Sequence, residues 1–325
     1  MANLSSNHIP VLFHEVLEHA QVQSGDVWVD CTLGRGGHTE ALLQQGAQVI
    51  AFDRDQQAIN ETSTRLNSFI KSGHLTIIHN NFSEIAHSLE SLGIKSVSGI
   101  LADLGVSSPQ LDEAERGFSF MSSGPIDMRM DQSYGISALE WITSHTTGDL
   151  CHILRTYGEE ARAKYLAKVI KVWTDEAVEN ETINSLDTLA LSRLVESATP
   201  MKLRRKLNKH PATRVFQALR IAVNDELGAL EQLLKDAPNL LALHGKLLLI
   251  SFHSLEDRMV KKCFKYLSEP PTPPRRGLPP PPSAPLEFKV NIRKGLIANE
   301  EEKAMNPRSR SARLRILTRI RNPHS

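Results

Sequence analysis

The stretch Val27 to His38, Val-Trp-Val-Asp-Cys-Thr-Leu-Gly-Arg-Gly-Gly-His, restricts the fold of this chain more than any other. Val27, Val29, Asp30 and Cys31 suit a strand covered on both faces, as in a parallel α/β sheet. Gly34, Gly36 and Gly37 then allow a tight turn and a close approach of backbone to a ligand. A helix predicted from about Thr39 to Gln45 aims its first amides into that turn. A second apolar strand, Gln48 to Phe52, runs into Asp53-Arg54-Asp55. Asp53 follows Gly34 at about the 20-residue distance at which nucleotide-binding βαβ units place the acid that takes a ribose hydroxyl.

A glycine loop after a strand is also an ordinary turn, so the pattern needs finer reading. The dinucleotide fingerprint G-x-G-x-x-G fails, because Thr39 stands where the third glycine is required. No Gly-Lys-Ser/Thr follows, which excludes a Walker loop. A nucleoside cofactor without a pyrophosphate fits better, and S-adenosylmethionine is the common one. Other nucleotide enzymes, and a turn with no cofactor, stay open at this point.

At 325 residues, 40% hydrophobic and 23% charged, the chain has room for one large domain or one domain with an insertion. No apolar run reaches transmembrane length, and Met1 to Pro10 lacks the regions of a signal peptide. No membrane association is expected. Cys31, Cys151 and Cys263 are odd in number and far apart, which gives neither a zinc spacing nor a disulfide framework. A reducing, cytoplasmic setting and no metal are therefore expected. The net charge of +1 is unevenly spread. From Lys289 onward ten basic residues face only Glu300, Glu301 and Glu302, an asymmetry compatible with an acidic partner such as RNA.

Along the chain, Asp55 to Phe69 reads as a helix capped by Asp55, and Leu75 to His79 as a third strand. Phe82 follows that strand, placed to cover an adenine or to fill the core. Ser83 is expected to cap a helix ending near Leu92. Val97 to Leu101 is a fourth strand, and Asp103 lies at its carboxyl end, where open α/β sheets bind ligands. Val106 to Met130 has the composition of a long functional loop. Asp149 to Thr174 and Ser185 to Ser197 read as amphipathic helices. The alternation of strands stops until Lys246, so residues 112–209 are expected to form a helical insertion, with 1–111 and 210–325 as the α/β domain. Lys202 to Lys209 carries basic residues and no acid, either a phosphate-tracking segment or a solvated linker. Pro211 opens a long helix with an apolar face from Val215 to Leu234. Lys246 to Phe252 is a fifth strand, leading into His253-Ser-Leu-Glu-Asp-Arg258. Pro270 to Pro285 is proline-rich and extended or mobile. Leu286 to Asn291 and Arg313 to Ile320 alternate as an antiparallel pair at the sheet edge, with a basic cluster, Arg308 to Arg315, at their junction.

Several of these stretches together resemble one family. They are His8-x-Pro-Val-Leu, Asp30-Cys-Thr-Leu-Gly-Arg-Gly-Gly-His38, Asp103-Leu-Gly-Val-Ser-Ser-Pro-Gln-Leu-Asp112, Arg116-Gly-Phe-Ser-Phe120, Asp127-Met-Arg-Met-Asp131, His210-Pro-Ala-Thr-Arg214, Phe216-Gln-Ala-Leu-Arg-Ile221, Ser251-Phe-His-Ser-Leu-Glu-Asp-Arg258 and Ser311-Ala-Arg-Leu-Arg315. The chain resembles the RsmH (MraW) family of 16S ribosomal RNA cytosine-N4 methyltransferases, over nearly its whole length. The resemblance implies a class I S-adenosylmethionine-dependent methyltransferase: a Rossmann-like α/β sheet with a helical insertion domain that helps recognise substrate. It implies S-adenosylmethionine as donor, 16S rRNA in the small ribosomal subunit as partner, and N4-methylation of cytidine 1402. It also implies a cofactor set of Gly36, Gly37, His38, Asp53, Phe82, Asp103 and Gln110. Strand ends alone already point to Asp53, Phe82 and Asp103; Gln110 comes from the family alone. The proline-rich stretch has no counterpart, and Lys202 to Lys209 matches only loosely.

The exocyclic amine of cytosine is a weak nucleophile and a sulfonium methyl a strong electrophile, so alignment supplies much of the expected catalysis. An acceptor near the amine would help. The Asp/Asn-Pro-Pro-aromatic device of many amino-methyltransferases is absent, because the chain reads Asp103-Leu-Gly-Val. The acceptor is not identified; His253 and Ser254 are candidates for lining the base pocket. The target base must leave its stack, and the Arg116 to Met130 loop is placed to close over it. A nucleotide-dependent oxidoreductase and a non-catalytic RNA-binding assembly factor are the rivals, disfavoured by Thr39 and by the intact loop with Asp53. A homodimer is compatible with the sequence, which does not determine the oligomeric state.

Overall fold

In the computed structural model residues 10–270 and 285–322 are described. His8 and Ile9 of the first motif, and residues 271–284 of the proline-rich stretch, lie outside them. The chain divides into two compact units: residues up to Gly105 together with those from Gly228 onward, and Val106–Leu227.

The first unit is built on seven strands, β1 (Val27–Asp30), β2 (Gln48–Asp53), β3 (Leu75–His79), β4 (Val97–Asp103), β5 (Leu241–Ser251), β6 (Phe288–Val290) and β7 (Arg313–Arg319), in the order β3-β2-β1-β4-β5-β7-β6. The first five pair in parallel, and β7 runs antiparallel between β5 and β6. Alternate residues feed two cores. Trp28, Val49, Leu101 and Leu248 join one; Val29, Ile50, Ile100 and Leu249 join the other. Both faces are therefore covered, which is why these strands read as apolar runs. This is a Rossmann-like, mostly parallel sheet with an antiparallel edge.

Helices α1 (Phe13–Ala20), α2 (Gly37–Gln44), α3 (Gln56–Arg65), α4 (Asn67–Lys71) and α5 (Ile85–Ser91) connect or cover the first strands. The helix read over Asp55 to Phe69 is two, parted at Leu66, whose buried side chain joins the core. Asp55 does cap α3, accepting a hydrogen bond from the amide of Gln57 at 3.1 Å. Before α5 a 3-10 turn, Phe82–Glu84, is capped by Asn81 rather than Ser83, the Asn81 side chain accepting from the Ser83 amide.

The second unit carries α6 (Ser108–Asp112), α7 (Ala138–Ser144), α8 (Thr147–Thr156), α9 (Ala163–Glu179), α10 (Thr188–Ala198), α11 (Met201–Arg204) and α12 (Ala212–Asn224) around its own core. It is wider than residues 112–209 because Val106 and Leu111 pack on that core and Ala212, Val215, Phe216 and Leu219 belong to it. The helix read across Asp149 to Thr174 breaks between α8 and α9. Gly158 lies there, and a Cβ on it would stand 2.7 Å from the carbonyls of Leu154 and Arg214. The Val106 to Met130 segment is folded rather than open: Phe118, Ile126 and Met128 are core residues, and the buried Arg116 donates to the carbonyls of Arg129 and Met130. The long helix expected after Pro211 is also two. Asp225, at φ 48°, ends α12, and α13 (Glu226–Leu240) follows. Asp tolerates this left-handed turn better than most residues. α12 supplies the core of the helical unit, while Leu230, Leu233 and Leu234 of α13 join the sheet core.

Candidate functional site

The strand order reverses beside β1: β2 and β3 lie on one side of it and β4 on the other. Connections leave the carboxyl ends of β1 and β4 in opposite directions, which opens the crevice where such sheets bind ligands. The loop after β1 is fastened to its surroundings there. The Thr32 amide donates to Asp30 Oδ1 at 3.0 Å, and its hydroxyl accepts from the Asp103 amide at 2.7 Å. Leu33 N donates to the Phe52 carbonyl, Gly34 N to Asp53 Oδ2 at 2.7 Å, and the Thr62 hydroxyl to the Gly34 carbonyl. Gly36 has φ 67°, and a Cβ on it would stand 2.6 Å from Thr62 Cγ2. On Gly37 a Cβ would meet the Pro10 ring at 2.4 Å. Only glycine lets the chain pass here and start α2 at once.

Three neighbouring strands end in aspartate: Asp30 on β1, Asp53 on β2 and Asp103 on β4. Asp30 is buried; its Oδ2 accepts from the Thr39 hydroxyl at 2.6 Å. Burial, against these hydrogen bonds and with Asp53 nearby, raises its carboxyl to about 7. Asp53 Oδ1 accepts from the Asp55 amide at 2.9 Å, and burial raises this carboxyl too. Asp103 is pushed well up, first by burial and then by Asp30 and Glu256, and its Oδ1 is buried with no hydrogen-bond partner. Among the described residues no lysine or arginine pairs with any of the three.

His38, the second residue of α2, is 6% exposed; no side chain bonds its ring nitrogens, and the Val11 backbone is near enough to act on the imidazole without completing a well-aligned hydrogen bond. Its Nε2 stands 4.0 Å from Asp103 Oδ2, and its ring stacks on Phe13. Burial lowers its pKa to about 4, so the imidazole is neutral near pH 7. Phe82 opens the turn beyond β3 and is half-buried against the core. These residues share the carboxyl edge of one sheet. Gln110 lies in the helical unit, where its Oε1 accepts from the Ser107 amide at 3.0 Å at the start of α6. His253 and Ser254 open α14 (Ser254–Ser268), with His253 as its N-cap. Its Nδ1 accepts from the Glu256 amide at 3.4 Å, while Glu256 Oε2 accepts from the amides of Phe252 and His253. The imidazole of His253 thus has a structural task.

Of the four arginines in the later basic segment one is buried, two are half-buried and Arg310 is exposed. Arg315 is buried and donates to both carboxylate oxygens of Asp257, at 2.7 and 3.0 Å, and Arg313 Nε lies 3.8 Å from the same carboxylate. These two charges hold β7 to α14 rather than await a phosphate. In the earlier segment Lys202, Arg205, Lys206 and Lys209 are exposed, while Arg204 pairs with Glu196 at 3.2 Å. Sequence reading missed Asp30 as a site residue, because it closes an apolar run and passes for a strand position. Its signal was shared with Asp53 and Asp103: an acid on the last residue of an otherwise apolar strand.

Taken together, the edge offers three carboxyl groups that burial holds back from ionising and that have no basic partner among the described residues, a buried neutral imidazole, a glycine turn and an aromatic ring. A cationic nucleoside fits that set of groups; an anionic pyrophosphate does not.

The family model described as the MraW methylase family matches residues 5–320. Curated relatives named ribosomal RNA small subunit methyltransferase H are similar end to end. The one from Anaeromyxobacter dehalogenans is 46% identical over 97% of this chain and 98% of its own length. The one from Mycoplasmopsis synoviae is 41% identical over 98% of this chain and 100% of its own. The one from Streptococcus mutans is 40% identical over 97% and 98%. No helix among the described residues is long and apolar enough to cross a membrane.

Proposed function

The chain belongs to the MraW methylase family, and we propose that it transfers a methyl group from S-adenosylmethionine to N4 of cytidine 1402 in the 16S rRNA of the small ribosomal subunit. The observation that carries the choice of donor is the edge of three carboxylates without a basic partner, beside a neutral buried histidine. The choice of acceptor is supported by the 40–46% identity to relatives that are named for the small-subunit RNA.

In this reading Gly36 and Gly37 let the backbone approach the cofactor. The Asp53 carboxylate, already fixed by two amides, keeps lone pairs for ribose hydroxyls. Phe82 covers the adenine. His38 offers a ring nitrogen, and Asp103 the oxygen that has no other partner. Gln110 joins the set on the strength of the family resemblance, and the helical unit that carries it recognises the RNA. When bound, the donor supplies an activated methyl on a sulfonium. The protein's part is to align that methyl with the amine lone pair, which supplies much of the rate in such transfers. An enzyme with this substrate works where ribosomes are assembled, in the cytoplasm.

The test is purified protein with S-adenosylmethionine and small subunits from cells lacking the modification. Nucleoside mass spectrometry should find N4-methylcytidine, mapped to position 1402. Product on C5 or on the ribose, or no product, would overturn the reading.

A further inference from the structure

We propose that Asp30, Asp53 and Asp103 act together as a charge filter, favouring the sulfonium donor over its neutral thioether product, and that Asp30 contributes through its field alone. The inference rests on the reading that the donor binds at this edge.

The geometry separates Asp30 from the other two. β1 lies between β2 and β4, and Asp30 is in register with Ala51 and Leu101. Asp53 and Asp103 therefore stand two residues further along, on either side of it. Asp30 is 1% exposed, and both of its oxygens already accept hydrogen bonds, from the Thr32 amide and the Thr39 hydroxyl. Its oxygens are already engaged, but its charge reaches the neighbouring strand ends: it acts on Asp103, and Asp53 acts on it.

The groups that face the cluster add no positive charge. Cys31, Thr32 and Thr39 surround Asp30; Asp55 lies by Asp53; Glu256 of α14 acts on Asp103. Among the described residues the base nearest Asp103 is His38, and burial keeps it neutral; Arg54 acts on Asp53 through its backbone amide, and His253 lies against Glu256. No side chain bonds either ring nitrogen of His38, the Val11 backbone lying near enough to act on it, and Nε2 stands 4.0 Å from Asp103 Oδ2. Buried carboxylates without a counter-charge are costly unless a ligand brings one. A sulfonium is such a ligand. In the transfer the S–CH3 bond breaks and sulfur keeps the electron pair. The N–CH3 bond forms from the amine lone pair, and the amine proton leaves to solvent. Sulfur becomes neutral, so the field that held the donor no longer holds the product.

Calorimetric titration of the full-length protein with S-adenosylmethionine, S-adenosylhomocysteine and sinefungin tests this, since sinefungin carries a cationic amine in place of the sulfonium. Asp30→Asn keeps the shape and can keep both hydrogen bonds. It should weaken S-adenosylmethionine and sinefungin by about tenfold and S-adenosylhomocysteine by less than about twofold, as expected for loss of one nearby charge in a partly screened site. Equal weakening of all three ligands would mean that Asp30 only shapes the loop, and the filter would be refuted. Failure of the unaltered protein to bind any of them would instead refute the donor site. If Asp30→Asn does not fold, Asp103→Asn serves, because Oδ1 loses no partner. An unchanged ratio of donor to product affinity in that variant would equally refute the filter.

Discussion

Burial raises the Asp30 carboxyl from its ordinary 3.8 to about 7, and the direction of that shift has a consequence for the free protein. A carboxyl raised on folding gives stability that is complete below its unfolded value and is lost as pH climbs through the folded one. Between about pH 4 and pH 7 the ligand-free chain should therefore lose up to about 4 kcal/mol at this single residue, at roughly 1.4 kcal/mol per unit. Asp30→Asn removes the penalty. It should melt above the unaltered protein at pH 8, with the gap closing toward pH 4. His38, whose pKa is lowered, destabilises the fold as pH drops below 6.5, but it is present in both proteins and cancels in the comparison. Identical melting temperatures at both pH values would show that Asp30 is not held as an unfavourable charge. Its proton also couples to the donor: a cation favours the ionised form, so S-adenosylmethionine should bind more tightly as pH rises from about 6 to about 8, while S-adenosylhomocysteine should not. Asp53 and Asp103 were readable in advance because they stand past the apolar run, where the strand-end rule applies. Asp30 was not, because only the paired sheet shows three acids side by side.

The basic segments illustrate what a string of residues conceals about its elements. Lys202 to Lys209 and Arg308 to Arg315 look alike as sequence, yet Arg315 is turned inward onto Asp257 and the four exposed cations of the earlier segment are not. Replacing Lys202, Arg205, Lys206 and Lys209 by Gln should weaken RNA binding. It should also flatten the plot of log affinity against log salt by roughly 0.7–0.9 for each phosphate that is no longer neutralised. A slope that does not move would mark them as solvated surface charges. Arg315→Ala should act differently, costing about 1.5–3 kcal/mol of stability, because the half-buried Asp257 loses its bidentate partner but keeps Arg313 nearby. Chemical denaturation would detect it, and a destabilisation below about 1 kcal/mol would place that pair with ordinary surface ion pairs. The strands β1 to β4 were readable because apolar runs bounded by turns have few alternatives. The helix breaks were harder. Asp225 sits inside a continuous apolar periodicity, and only its left-handed backbone separates α12 from α13. The caps at Ser137, Thr146 and Asp187 lie in polar stretches where many residues are plausible starts.

At the level of the whole chain, substrate choice follows from what is present and where. Sequence-specific RNA recognition ordinarily uses splayed single-stranded bases held on aromatic platforms, or the shape of a folded RNA. Aromatic residues are only 5% of this chain. Phe120 and Phe216 pack against each other in the helical unit, and Phe120 against His210, so these rings serve structure before they can serve bases. Outward the helical unit presents the charge of Lys202, Arg205, Lys206 and Lys209, suited to phosphates and blind to sequence, with Tyr134 and Tyr165 as separate exposed rings and Tyr165 already lying under Arg162. In the proposed reading the sheet unit supplies the strand-end carboxyls and the helical unit the outward charge, so neither supplies both functions alone. A short oligonucleotide offers the target base but few phosphates in a fixed arrangement. We therefore expect rapid methylation of small subunits lacking the modification, and turnover at least about 100-fold slower on an oligonucleotide of the surrounding sequence, the ratio expected where roughly 3 kcal/mol of positioning interactions cannot form. The four-Gln variant should narrow that ratio by slowing the subunit reaction while leaving the oligonucleotide reaction unchanged. Equal rates on the two substrates would leave the chemistry standing and refute recognition by shape.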